Sequence, residues 1–168
     1  MSQPIVSILM GSQSDWSVME HASLTLNELG IAHECKITSA HRTPDRHHAY
    51  VTGAAERGIK LFICGAGMAA HLAGMTAALT HLPVFGVPLA GGAMDGLDSL
   101  LSTVQMPGGI PVATFAIGKA GAKNAAVMAA QTLAMSDPKM AEKVKAFRAA
   151  QTAAVPEEPT GWQKGAAA

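Results

Sequence analysis

Three short segments of this chain place chemically capable side chains at the start of a helix pattern. The first is Gly11-Ser12-Gln13-Ser14-Asp15. Gly11 allows a tight turn, Ser12 and Ser14 offer hydroxyls, and the N–H groups at a helix start are unpaired and carry partial positive charge. Such a loop seats a phosphate, although the same residues serve equally well if Ser14 or Asp15 simply caps the helix. It is neither a Walker loop nor GxGxxG. Asp15 would repel a phosphate at close range, so it is better matched to ribose hydroxyls, from which a carboxylate accepts hydrogen bonds.

The second segment is Ser39-Ala40-His41-Arg42-Thr43-Pro44. Arg42, just ahead of a helix, can clamp a phosphate with its planar fork while the helix dipole assists. His41 then lies one residue from the anion site. A histidine both donates and accepts a proton near neutral pH, which suits general acid–base work. A loop histidine alone also fits a solvent-facing or capping role, and it is the pairing with Arg42 that favours chemistry.

The third is Gly65-Ala66-Gly67-Met68-Ala69-Ala70-His71-Leu72. Small residues such as Gly67 and Ala70 let backbone groups approach a flat ring closely, with His71 beside them. The competing reading is a tight packing turn with His71 satisfied at a helix start. Remaining candidates are weaker. His47 and His48 are adjacent on a helix and diverge by about 100°, and His21, His33 and His81 lack ligand spacing, so no metal site is expected. Ser99 reads as a helix cap, since no GxSxG elbow surrounds it.

These loops need a frame. Apolar, β-rich runs at Ile5–Met10, His33–Thr38, Leu61–Cys64, Val84–Val87 and Val112–Phe115 alternate with helical patterns. That rhythm predicts βαβ units and an α/β fold with a buried parallel sheet of about five strands. Val18, Met19, Ala22, Leu26 and Leu29 mark the first helix, stopped by Gly30. Thr43 as N-cap and Pro44 at the first helical position open the second, expected to run to about Arg57. Later helices are predicted at His71–Thr80, Ser99–Val104, Lys119–Met135 and Pro138–Ala154. The last presents Met140, Val144 and Phe147 beyond what the sheet needs, a face suited to a neighbouring subunit. The Ala125–Ala130 stretch suits close helix approach, between subunits or onto the sheet. One catalytic domain is expected over 1–154, with a flexible tail at 155–168.

The 168 residues are 49% hydrophobic and sum to zero net charge. No basic face for nucleic acid follows from that balance, and a small ligand fits better. No secretory start precedes the first strand, and no apolar run nears the roughly 18 residues of a membrane span. A cytoplasmic, soluble protein is expected. Cys35 and Cys64 form no CxxC and read as reduced, buried thiols.

Taken together, Gly-Ser-Gln-Ser-Asp at 11–15, Ser-Ala-His-Arg-Thr-Pro at 39–44, Ala-Gly-Met-Ala-Ala-His-Leu at 66–72 and Asp-Ser-Leu-Leu-Ser-Thr-Val-Gln-Met-Pro at 98–107 closely resemble the 5-(carboxyamino)imidazole ribonucleotide mutase family of purine biosynthesis. The resemblance runs from about Ile5 to Gln151. It implies a flavodoxin-like three-layer sandwich with an added C-terminal helix, and a homo-octamer whose sites draw on neighbouring subunits. It further implies that Ser12, Asp15 and Arg42 contact a ribonucleotide substrate, with Ser14 and Ser39 nearby, and that His41 is the general acid and base. The implied reaction moves a carboxylate from an exocyclic nitrogen to a ring carbon through CO2, and calls for no nicotinamide, ATP or metal. Ala73 stands where the family often has proline. The stretch Gln105–Thr114 looks like the mutase class. Two alternatives stay open: the related carboxylase that takes free CO2, and a non-catalytic flavodoxin-like module that binds a nucleotide or flavin.

Overall fold

The apolar runs form one sheet. In the computed structural model, which describes residues 3–162, the strands are β1 (Val6–Met10), β2 (His33–Ile37), β3 (Leu61–Gly67), β4 (Val84–Leu89) and β5 (Ala113–Thr114). They pair in the order β2-β1-β3-β4-β5, every pair parallel. The helices are α1 (Trp16–Glu28), α2 (Pro44–Thr52), α3 (Leu72–Ala78), α4 (Leu97–Val104), α5 (Lys119–Ala134) and α6 (Pro138–Ala153). This is the flavodoxin-like, doubly wound arrangement.

Each face of the sheet has its own apolar cluster. On one, Ile8, Ile63 and Val87 meet Met19 and Leu26 of α1, Ala122 and Ala129 of α5 and Met140 of α6. On the other, Leu9, Phe62 and Val84 meet Val51 of α2 and Leu72 and Ala77 of α3. β1 is buried along its whole length, as a central strand covered on both sides must be.

Several boundaries differ from the sequence pattern, each for a local reason. α2 stops at Thr52, not Arg57. The β-branched Val51-Thr52 pair runs into Gly53, a poor helix continuation. Arg57 instead turns back, donating to the Tyr50 carbonyl at 3.0 Å and stacking 4.6 Å over the Tyr50 ring. β3 extends to Gly67, so the first three residues of the third loop are strand. A Cβ at Gly65 would clash with the Met19 side chain, so this glycine permits close helix–strand packing, and it does not line the cavity described below.

The spare face of α6 is not spare. Met140 is buried, and Val144 and Phe147 pack against the α1–α5 side of the core. The alanines 125, 126, 129 and 130 are likewise buried within the chain. Among the described residues, α4 carries an exposed apolar stripe, where Leu97, Leu101 and Val104 are each 47% exposed at helical spacing. Of the tail, residues 155–162 are exposed and 163–168 lie outside the described residues. No described helix is long and apolar enough to cross a membrane. Cys64 is a buried free thiol whose pKa burial pushes up to about 12, and Cys35 is half-buried and free.

His47 shows a consequence of burial. It is 1% exposed, its Nε2 lies 3.4 Å from Thr76 Oγ1, and its Nδ1 has no partner. Because the Thr76 hydroxyl donates to the Leu72 carbonyl at 2.8 Å, it meets His47 as an acceptor, which fixes the Nε2–H tautomer. Burial, and secondarily His48, lowers the His47 pKa. The unfolded chain therefore takes up this proton first as pH falls. Stability from neutral His47 is full above about pH 6.5, the unfolded histidine value, and declines below it. The fall in Tm between about pH 7 and 5 should be shallower in His47→Gln; an equal slope would show that other groups carry it.

Candidate active site

A cavity of about 480 Å³ opens beyond the carboxyl ends of β1 to β4. It lies where the strand order reverses direction, between β1 and β3, the position ligands favour in open α/β sheets. All three loops singled out in the sequence reach it.

The serine loop is a capped turn. Ser12 is the N-cap of a 3-10 turn over Gln13–Asp15; its Oγ accepts from the Ser14 N–H at 3.3 Å, and Asp15 Oδ2 accepts from the Ser12 N–H at 2.9 Å. The cap is thus Ser12 with Asp15 reciprocating, and Ser14 is left to donate its hydroxyl to Ser12 Oγ at 2.9 Å. Ser12, Ser14 and Asp15 all line the cavity. Burial raises the Asp15 pKa against the lowering effects of the Ser12 and Gly11 N–H groups and the Arg42 charge.

The second loop is braced from within. Thr43 makes no cap bond to α2. Its Oγ1 instead accepts from the Ser39 N–H at 2.9 Å and donates to the Ser39 carbonyl at 3.0 Å. That closes a ring around Ala40–Arg42. Ser39 Oγ accepts from the Arg42 N–H at 3.1 Å, and Arg42 Nη2 donates to the Gly11 carbonyl at 2.8 Å. Arg42 therefore ties the second loop to the first while its guanidinium faces the cavity.

Within this frame His41 meets His71. His41 Nε2 and His71 Nδ1 are 2.8 Å apart, the rings edge to face with centroids at 5.0 Å. At that distance a hydrogen bond joins the two imidazoles, one ring nitrogen donating and the other accepting. His71 occupies the N-cap position of α3 without capping it. Its imidazole is directed to His41, unlike the satisfied helix-start residue that was the competing expectation.

Gly67 lines the cavity, but Ala70 does not. Ala70 is 1% exposed and its N–H is donated to Ser102 Oγ at 3.0 Å, so it stands behind the wall. Ser99 is fully buried, its hydroxyl shared between the Leu89 and Gly96 carbonyls at 2.8 Å each, which rules out a nucleophile. Among the described residues no group of three His, Cys, Asp or Glu is placed to hold a metal ion.

Sequence inspection overlooked a fourth loop. Leu89, the last residue of β4, and Ala90, Gly91 and Gly92 after it line the cavity beside Gly67 and Met68. The Gly-Gly pair directly after an apolar strand was the available signal. Gly91 and Gly92 adopt φ of 145° and 68°, left-handed conformations that strain other residues. With Ala66 and Ala69, this loop makes a small-residue, largely apolar wall beside the imidazoles.

Known proteins share this frame. A family profile described as AIR carboxylase matches residues 5–154. The chain is 57% identical over 155 residues to the N5-carboxyaminoimidazole ribonucleotide mutase of Brucella melitensis, covering 92% of this chain and 96% of that one. It is 59% identical over 142 residues to the enzyme of the same name from Bacillus subtilis, covering 84% and 88%. Among solved structures, PurE of Treponema denticola superposes with a TM-score of 0.81 at 30% identity, covering 89% of this chain and 92% of that one.

Proposed function

The chain belongs to the AIR carboxylase family, and from that premise we infer that it catalyses the N5-carboxyaminoimidazole ribonucleotide mutase reaction of purine biosynthesis. The carboxylate moves from the exocyclic nitrogen of an aminoimidazole ribonucleotide to the neighbouring ring carbon, an isomerisation. The observation that carries the chemistry is the His41–His71 contact beside a wall of small residues and across from a serine loop and an arginine.

Phosphate is assigned to the loops of Ser12, Ser14, Ser39 and Arg42, and the ribose hydroxyls to Asp15. The imidazole ring of the substrate then lies toward Gly67 and His71. Protonated His41 gives its proton to the exocyclic nitrogen, and the N–CO2 bond breaks to leave CO2 and an electron-rich aminoimidazole. The adjacent ring carbon, enamine-like, attacks CO2. Retention of the gas depends on a dry pocket, and the apolar side chains on the cavity wall suited to form it once substrate is bound are Ala66, Ala69 and the buried Leu89. Neutral His41 then takes the hydrogen from the newly carboxylated carbon, restoring aromaticity and its own proton. The cycle nets no proton, and His71 shares the charge while His41 is between states.

The family takes its name from a carboxylase, so the free-CO2 reaction is the reading to set against the mutase. Purified protein supplied with the carbamate substrate should convert it faster than spontaneous decarboxylation followed by CO2 capture allows. Conversion at only the spontaneous rate, with turnover restored by adding bicarbonate and the unsubstituted aminoimidazole ribonucleotide, would assign the carboxylase instead.

The protein is further assigned to the cytoplasm as a homo-oligomer, an octamer as the resemblance implies. The exposed Leu97, Leu101 and Val104 stripe of α4 supports self-association. A light-scattering mass equal to one chain would remove that assignment.

A further inference from the structure

We propose that Ser102, on a helix that contributes no residue to the cavity wall, is a positioning residue that sets the His41–His71 pair through the Ala70 peptide. The proposal rests on the acid–base role given to that pair above.

Ser102 Oγ lies 2.7 Å from the Asp98 carbonyl, 3.0 Å from the Ala70 nitrogen, and 3.3 Å from the carbonyls of Met68 and Ser99. A hydroxyl has a single hydrogen, and the shortest of these contacts takes it to Asp98, one helical turn back. The rotamer is thereby fixed, and a lone pair is aimed at the Ala70 N–H. That N–H belongs to a residue with 1% exposure, so water offers no ready substitute.

The turn held in this way is not a relaxed one. Met68 has φ of 53°, a left-handed conformation unfavourable to a side chain of its size, and the His71 N–H bonds to the Ala69 carbonyl at 2.9 Å across two residues. Ala70 is the middle of that tight turn. Its peptide sets the direction in which the chain enters α3, and hence where the His71 ring points. The His41 contact tolerates little error, since a 2.8 Å bond between rings is lost with a displacement of about 1 Å. Ser102 reaches the chemistry only through this chain of contacts. The phosphate and ribose contacts assigned above lie on other loops, so Ser102 should affect the chemical step and leave substrate affinity largely alone.

Ser102→Ala removes the acceptor. Its kcat should fall about tenfold to 100-fold, the scale of a small misplacement of a catalytic group, with KM changed less than about threefold. Ser102→Thr keeps the hydroxyl and should recover kcat to within about threefold of the wild type. A wild-type kcat in Ser102→Ala, or an equal loss in Ser102→Thr, would overturn the proposal. Should Ser102→Ala fail to fold, Ser102→Cys keeps the bulk with a much weaker acceptor; its kcat should fall in the same way, and wild-type turnover there would count against the idea. Imidazole 15N NMR of the wild type and Ser102→Ala without substrate supplies a readout independent of turnover. The signals of the shared His41–His71 bond should change in the variant. Unchanged ring signals reject the positioning role even if the mutase reading stands, whereas a wild type lacking mutase activity rejects that reading and leaves the NMR comparison valid.

Discussion

Replacing His41 with Asn should leave the ribonucleotide bound with nearly unchanged affinity and reduce kcat by about 10³-fold or more, since general acid–base catalysis alone contributes about 10²–10⁴-fold. The large expected loss follows from using one imidazole twice. Without it the exocyclic nitrogen is not protonated for CO2 loss, and the carboxylated ring carbon is not relieved of its hydrogen. Asn retains a polar group of similar reach but has no proton to exchange near neutral pH. His71 is 2.8 Å behind His41 Nε2 and stays in place, so the variant also asks whether the second imidazole can serve directly. Isothermal titration with the product and a single-turnover assay with the carbamate separate the two effects. If kcat stays within about tenfold of the wild type, His41 is not the acid–base group. A non-catalytic nucleotide-binding module predicts a different pair of results: ligand retained by both proteins and turnover by neither.

The loops that build this cavity were legible because each carries its own local physics. Gly11 with Ser12 and Asp15, and Arg42 ahead of Pro44, announce helix starts that face a strand end, and those features survive any tertiary arrangement. What sequence could not supply is the meeting of His41 and His71, 30 residues apart. Their strands, β2 and β3, flank β1 on opposite sides, and only that strand order brings their loops together over its carboxyl end. A one-dimensional pattern holds no information about which strands are neighbours. The same limit explains α6. Its apolar face exceeds what a sheet alone needs, but Met140 is buried in the core cluster that α1 and α5 help to form, and Val144 and Phe147 pack against it. Thr43 failed as a cap for a more local reason. Its hydroxyl had two competing backbone partners at Ser39, four residues back, and bonding both stabilises the loop more than one helix N–H would. Ala70 is small enough to admit a ligand, and small size is also what a buried turn demands; nothing in its type distinguishes a ligand contact from a packing contact.

Arg42→Ala should raise KM about tenfold to 100-fold while changing kcat less than about tenfold, because a charge-assisted hydrogen bond is worth about 1.5–3 kcal/mol and each 1.4 kcal/mol is tenfold. The substitution removes two things at once. One is the positive charge assigned to the phosphate, and the other is the brace from Nη2 to the Gly11 carbonyl at 2.8 Å, which ties the serine loop to the histidine loop. Phosphate lies away from the bond being broken, and its charge is the same in the ground and transition states. Lost charge therefore appears as uniform binding, in KM. A lost brace lets loop one and loop two drift relative to each other, which misaligns the ring against His41 and appears in kcat. Arg42→Lys separates them, since an ammonium keeps the charge but cannot make both contacts in the geometry of the guanidinium fork. If charge dominates, Lys should restore most of the affinity; if the brace dominates, Lys should resemble Ala in kcat. Competition by inorganic phosphate gives an independent check, weakening in Arg42→Ala in step with KM. Should KM and phosphate competition both stay at wild-type values, the phosphate does not sit on Arg42. The assignment of Asp15 to ribose would then have to be reversed along with it, because that assignment rests on the ligand running from the arginine past the carboxylate toward His41.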